Sequence, residues 1–280
     1  MAAGTAATVL VNGVPGSGVG ADDRGLLYGD GLFETLAVRA GRPLHWERHR
    51  ARLERGCRRL AIACPDAGVL RAEVEHVAGP FARGVVKVVL TRGPGPRGYR
   101  PAAGAPTRIV SAHSPPSYPP ARASEGVAVR WCATRLGRNP ALAGLKHLNR
   151  LEQVLARAEW DEPEIAEGLM QDDGGAVIEG TMSNLFAVFD GVLVTPDLSE
   201  CGVAGITRER ILEHAGALGI AAQVRRIPAE ALEAAQELFL CNTLIGIWPV
   251  RRLADREFRV GPLVRRLAQA LSEEDRACGP

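Results

Sequence analysis

Four prolines in the six residues Pro115-Pro116-Ser117-Tyr118-Pro119-Pro120 set the strongest limit on how this chain can fold. Each fixes φ and removes a backbone donor, so neither a helix nor a central strand continues through the segment. The 280 residues therefore divide near residue 120 into an N-terminal domain over 1–114, a linker over 115–124 and a C-terminal domain over 125–280. Before the linker, Thr8–Val11, Leu32–Arg39, Val85–Thr91 and Thr107–Ser111 read as strands. Trp46, Leu53, Cys57 and Leu60 fall on one face of a helix, and a second helix covers Asp66–Ala78. Beyond the linker, a strand over Val127–Cys132 leads to a helix from about Leu148 to Trp160. Two hairpins follow, one turning at Asp172-Asp173-Gly174-Gly175 and one at Asp190-Gly191. Gly205-Ile206-Thr207 opens a helix that runs to about Leu218. The mixture predicts an α+β protein of two domains.

Arginine and lysine are used very unequally. Of 34 basic residues only Lys87 and Lys146 are lysines, which leaves 32 arginines. An arginine stays protonated at any ordinary pH, whereas a lysine can lose its proton and act as a base or nucleophile. The two lysines are thus the candidates for chemistry that needs a free amine. Lys87 sits in the apolar run Val85-Val86-Lys87-Val88-Val89-Leu90 and reads as a structural residue snorkelling from a strand. Lys146, in Gly144-Leu145-Lys146-His147-Leu148-Asn149-Arg150, stands where a loop enters a helix and is the better candidate.

The net charge of +2, with both signs dispersed, points to neither nucleic acid nor an anionic membrane. Six cysteines without a CxxC pair fit neither a zinc site nor a disulfide framework, so reduced thiols in a cytoplasm are expected, with no bound metal. No stretch is long and apolar enough to span a bilayer.

Several motifs follow one another in a fixed order. They are Tyr28-Gly29-Asp30-Gly31-Leu32-Phe33-Glu34-Thr35, His49-Arg50-Ala51-Arg52-Leu53, the Lys146 segment, Glu179-Gly180-Thr181-Met182-Ser183-Asn184-Leu185-Phe186, Gly205-Ile206-Thr207-Arg208 and Cys241-Asn242-Thr243. In this order they resemble the fold-type IV pyridoxal phosphate enzymes, a group holding branched-chain and D-amino-acid aminotransferases and an aminodeoxychorismate-cleaving lyase branch. The resemblance spans about Asp23 to Val250. It implies a smaller N-terminal α/β sandwich and a larger C-terminal pseudo-barrel that carries the catalytic lysine and most of the cofactor site. It also implies a homodimer.

By the same resemblance Lys146 holds pyridoxal 5'-phosphate through its amine and then serves as acid and base. Glu179 pairs with the pyridine nitrogen. Arg52, the backbone of Ile206 and Thr207, the Thr207 hydroxyl and Thr243 meet the phosphate.

The stretch Arg138–Gln153 and the loop Arg92-Gly93-Pro94-Gly95-Pro96-Arg97-Gly98-Tyr99 resemble the lyase branch. Leu151 and Phe33 stand where the aminotransferases place tyrosines. The lyase branch converts 4-amino-4-deoxychorismate to 4-aminobenzoate and pyruvate, with Arg97, Tyr99, Phe33 and Asn242 as expected substrate contacts. The alternatives are an aminotransferase that keeps the cofactor, and a protein that binds the cofactor without catalysis.

Overall fold

Six strands of the N-terminal part pair into one sheet in the computed structural model, which describes residues 9–16 and 18–278. They are β1 (Val9–Val11), β2 (Val14–Pro15), β3 (Gly31–Arg39), β4 (Arg42–Pro43), β5 (Arg83–Thr91) and β6 (Thr107–His113), in the order β2-β1-β6-β5-β3-β4 and antiparallel throughout. Thr8, expected to open the first strand, lies outside the described residues. Strand alternation gives β3 two unlike faces. Leu32, Glu34, Leu36 and Val38 are buried, while Phe33, Thr35, Ala37 and Arg39 are half-buried.

Helices α1 (Arg24–Tyr28), α2 (Trp46–Leu60) and α3 (Ala67–Ala78) complete this part. Trp46, Leu53 and Cys57 of α2 and Leu70, Val74 and Val77 of α3 form one core with Leu36, Val86 and Leu90 of the sheet. The side chain of Asp66 caps α3 by accepting from the Val69 N–H at 2.9 Å, so the helix starts one residue later than expected.

The division of the chain differs in detail from the expected one. One compact unit comprises the described parts of Met1–Pro116 and Ala277–Pro280 together with Lys146–Asn149, and the other comprises Ser117–Leu145 and Arg150–Arg276. Lys146 therefore belongs by its packing with the N-terminal sheet, although the segments flanking Lys146–Asn149 on both sides belong with the C-terminal unit. Within the expected linker, Ala121–Ser124 forms one exposed turn of helix, α4. It begins directly after Pro120, where proline's fixed φ suits a helix start.

The second unit continues with β7 (Val127–Trp131), α5 (Leu151–Arg157), β8 (Ile165–Gln171), β9 (Val177–Gly180), β10 (Asn184–Phe189) and β11 (Val192–Pro196). After these come α6 (Ile206–Ala217), β12 (Ala222–Arg225), β13 (Glu237–Asn242), β14 (Gly246–Leu253), β15 (Arg256–Glu257) and α7 (Pro262–Ala277). α5 is shorter than expected. Both hairpins form where the turn residues placed them, β10–β11 through Asp190 and Gly191 at φ 49° and 79°.

Strands β10, β13, β14, β7, β8 and β9 run side by side, and the pair Asn184↔Glu179 joins β9 back to β10. The ring of six strands is a closed barrel, so these strands leave no free edge. Val129, Leu169, Val177, Leu185, Leu240 and Val250 fill its interior. The alternate residues Phe186, Val188, Phe239 and Ile247 face outward under Ile211 of α6 and Leu267 of α7. Strands covered on both faces read as continuous apolar runs, as Leu185–Phe189 does.

Phe186 and Phe239 stack at 5.0 Å between ring centroids, and both are fully buried. Phe239→Ala is expected to lower stability by about 3–5 kcal/mol, read as a fall in denaturant midpoint at unchanged slope. An unchanged midpoint would show that this outer layer is not a load on the barrel.

Candidate active site

A backbone pairing, rather than a helix start, fixes Lys146 in the first unit. The Phe33 N–H donates to the Lys146 carbonyl at 2.9 Å and the Leu148 N–H to the Gly31 carbonyl at 3.0 Å, with Leu32 opposite His147. Lys146–Leu148 thereby acts as a short extra strand on the edge of β3. Lys146 Nζ lies 4.4 Å from the centroid of the Phe33 ring, and Lys87 Nζ lies 5.6 Å from the same ring. Lys87 is paired with Thr35 in the strand register and is exposed. The only two lysines of the chain thus flank one aromatic ring, an arrangement the sequence did not suggest.

Arg52 is 7% exposed on α2, and its guanidinium grips Glu34 of β3. Arg52 Nε donates to Glu34 Oε1 at 2.7 Å and Nη2 to Oε2 at 2.6 Å. His49 Nδ1 lies 2.7 Å from Glu34 Oε2. Burial alone would raise the pKa of Glu34, but the charge and hydrogen bonds of Arg52, aided by His49, hold it down at about 2. Burial pushes His49 below its ordinary range and outweighs the pull of Glu34. The ring is therefore neutral near pH 7, and Nδ1 must carry the hydrogen because an ionised carboxylate only accepts. The fork expected to meet a phosphate is in this way engaged with Glu34. Arg97 and Tyr99 lie exposed on the loop between β5 and β6, Tyr99 at 86%.

In the second unit Glu179 closes the barrel and is 4% exposed. Its Oε2 accepts from the Val203 N–H at 2.8 Å and from Asn184 Nδ2 at 3.4 Å. Asn184 Nδ2 also donates to the Val203 carbonyl at 2.9 Å. Asn184 Oδ1 sits so close to Gly205 that a Cβ there would stand 2.0 Å from it and would displace the Asn184 amide. Gly205 precedes α6, and the N–H groups of its first turn have no partner inside the helix. The Thr207 hydroxyl oxygen among them is buried and makes no hydrogen bond among the described residues. Glu179, Asn184, Gly205, Ile206 and Thr207 are thus one connected group.

Thr243 is half-buried in the turn after β13. Asn242 holds that turn, its Oδ1 accepting from Leu244 N at 2.8 Å and Ile245 N at 3.0 Å, while Nδ2 donates to the Met182 carbonyl at 3.0 Å. Burial lowers the pKa of Arg150 against the opposing charges of Glu179 and Glu152.

Two buried carboxylates were not singled out from the sequence. Glu34 lay within a quoted motif. Glu167 carried a different signal, a charge inside the strand Ile165–Gln171. Its carboxylate accepts from Gly168 N (2.9 Å), Thr181 N (3.1 Å), Thr181 Oγ1 (2.5 Å), Met182 N (3.2 Å) and Ser183 Oγ (2.9 Å). Burial raises its pKa against the pull of these five donors, which together fix the loop from β9 to β10 that follows Glu179.

A family model described as amino-transferase class IV matches residues 31–253, and the chain belongs to that family. Over 263 residues it is 39% identical to an aminodeoxychorismate lyase of Vibrio harveyi, covering 92% of this chain and 97% of that protein. The crystal structure of 4-amino-4-deoxychorismate lyase from Pseudomonas aeruginosa superposes at a TM-score of 0.92 and 51% identity, covering 95% of this chain and 98% of that one. The branched-chain aminotransferase of Escherichia coli superposes at a TM-score of 0.86 and 25% identity, covering 95% and 93%. The fold is therefore the expected fold-type IV architecture, with the six-stranded barrel in the C-terminal region.

An ionised Glu34 binds its proton less tightly when folded, at about 2, than its ordinary value of 4.5. Its contribution, about 3 kcal/mol by that difference, is complete above the ordinary value and is lost as pH falls toward 2. Glu34→Gln leaves the Arg52 charge buried without its anion. It should cost about 3–5 kcal/mol at neutral pH and flatten the dependence of stability on pH between 4.5 and 2. Parallel acid-unfolding curves for the two proteins would remove this pair from the account.

Proposed function

We propose that the chain is a pyridoxal 5'-phosphate-dependent lyase that converts 4-amino-4-deoxychorismate to 4-aminobenzoate and pyruvate. The observation that carries the reading is likeness over nearly the full length of two lyases, at 39% and 51% identity against 25% for the Escherichia coli aminotransferase. Leu151 and Phe33, apolar where the aminotransferases place phenols, support it.

The residues suit the cofactor. A buried hydroxyl without a partner, as at Thr207, is destabilising, and a phosphate received by the first turn of α6 would relieve it. Ile206, Thr207 and Thr243 would hold that phosphate, with Arg52 contributing charge from the site that Glu34 fixes. Glu179, oriented by Val203 and Asn184, would keep the pyridine nitrogen protonated. When bound, the cofactor supplies a carbonyl that reacts with amines and a cationic ring that spreads negative charge.

Lys146 Nζ would take the proton from C4 of the substrate and pass it to the departing enolpyruvyl oxygen. Arg97 with Tyr99 would clamp a substrate carboxylate, and Phe33 would line the place of the substrate ring. Asn242, whose amide holds the turn before β14, would act by shaping that wall. We further read the protein as a cytoplasmic homodimer. Support comes from six free thiols and from Leu151, Val154 and Leu155, which stand 75%, 59% and 60% exposed on α5.

Borohydride reduction of the purified yellow protein should fix the cofactor on Lys146. Because Lys87 reaches the same ring, peptide mapping is the decisive readout, and an adduct on Lys87 would overturn the assignment. Lys146→Arg should abolish turnover, since a guanidinium does not condense with a carbonyl under these conditions.

Given aminodeoxychorismate alone, the enzyme should release aminobenzoate and pyruvate in equal amounts over many turnovers. With an L- or D-amino acid and 2-oxoglutarate it should transfer the amine slowly or not at all. Faster amino transfer under matched conditions would favour the aminotransferase reading, which a putative branched-chain-amino-acid aminotransferase of Methanocaldococcus jannaschii, 30% identical over 263 residues, keeps in view.

A further inference from the structure

The loop from Arg92 to Tyr99 is wrapped around a buried arginine that the proposed reaction does not use. Arg24, at the start of α1, is 3% exposed. Its Nη1 donates to the Gly98 carbonyl at 2.8 Å and Nη2 to the Tyr99 carbonyl at 3.1 Å, while Nε donates to Asp30 Oδ2 at 2.9 Å. The Arg24 N–H donates to the Gly93 carbonyl at 3.0 Å. A Cβ on Gly95 would stand 2.9 Å from Arg24 Cδ, so the loop passes directly over the arginine's stem. On the other side the Gly98 N–H donates to Tyr28 Oη at 3.0 Å, and the Tyr28 ring lies 4.8 Å beneath the Arg24 guanidinium and 5.5 Å from the Tyr99 ring.

Gly98, the residue that follows Arg97, is therefore held at both ends, by Tyr28 at its nitrogen and by Arg24 at its carbonyl. Gly98 has φ 111°, which only glycine adopts without strain. Asp30, in turn, accepts from Arg92 Nε at 2.7 Å and Nη2 at 3.0 Å, and precedes β3 directly. Arg24 thus ties an exposed loop to the root of the strand that pairs with Lys146.

We propose that Arg24 is the positioning residue for Arg97. It holds the loop in the conformation that presents Arg97 to a substrate carboxylate, so it sets affinity for the dianionic substrate and not the rate of the chemical step. The inference rests on the lyase reading. An ordered loop meets the carboxylate without first losing conformational freedom, and that freedom is what Arg24 removes.

The test is the Arg24→Lys holoenzyme. A lysine retains the charge but cannot serve Asp30, Gly98 and Tyr99 together. Hydrogen exchange at the amides of residues 95–99 should quicken on the order of tenfold or more, and KM for aminodeoxychorismate should rise on the order of tenfold. The kcat should stay within about twofold, and the absorbance of bound cofactor should be unchanged. Tyr28→Phe, which removes a single acceptor, should move exchange and KM the same way by less, and stands in if Arg24→Lys does not fold.

Unchanged exchange in the loop, or faster exchange with an unmoved KM, would overturn the proposal, as would a kcat loss at constant KM. Lyase turnover of the unaltered protein is measured alongside. Its absence would strike the lyase reading, whereas its presence with an unmoved KM in Arg24→Lys would strike this inference alone.

Discussion

A carboxylate taken out of water must be given back its hydrogen bonds, and in this chain the demand recurs at four places where a loop or helix is fixed. Asp23 accepts from the Gly25 N–H and from the Thr91 hydroxyl, which fastens α1 to the end of β5. Glu34 is met by Arg52 and His49, which locks α2 against β3. Glu167 gathers five donors and so shapes the loop from β9 to β10. Glu237 accepts from Leu263 N and Val264 N, which starts α7. Asp23, Glu34 and Glu167 each fix a loop or helix that carries or adjoins a motif. The motifs are therefore partly a record of what buried anions require, before any ligand is considered.

The abundance of arginine fits the same logic. A guanidinium offers several donors in a rigid fork and can satisfy a carboxylate and two carbonyls at once, as Arg92 does with Asp30, Leu60 and Ala61. An ammonium offers fewer directions and keeps its proton less firmly. With arginine in every bracing position, the two lysines are left beside Phe33, where strand pairing places them. Sequence bias thus set Lys146 apart as the candidate for chemistry that needs a free amine. Lys87, read from the sequence as structural, is turned by the alternation along β5 to the face that Phe33 shares.

What could be read from the sequence was what local chemistry determines. The turn at Asp190-Gly191 and the helix beginning at Ile206 both follow from one or two residues. The barrel could not be read in the same way. Its closure rests on the single register pair Asn184↔Glu179, a long-range choice that no local pattern encodes. The packing of Lys146 was misplaced for a related reason. His147 and Leu148 look like a helix approach, yet the free edge of β3 at Gly31–Phe33 captures them and α5 waits until Leu151. Arg52 showed the opposite limit. The motif nominated Arg52 for a phosphate, but only the fold shows that its fork already holds Glu34.

The groups proposed to react and the groups that brace are held in different ways. Lys146 is placed by a backbone bond between its own carbonyl and the Phe33 N–H, and the first turn of α6 by helix geometry. Glu179 is placed by a strand pair and oriented by Asn184 and Val203. The bracing residues Arg24, Arg52 and Arg92 instead hold position through side-chain networks with buried acids. A reacting side chain anchored by backbone is left to change partner and protonation without releasing the structure around it. A bracing side chain has no such liberty, because its release would leave a carboxylate buried and unmet. Under the proposed function, this separation would let a chain with so few lysines place one at the chemistry and entrust its architecture to arginine.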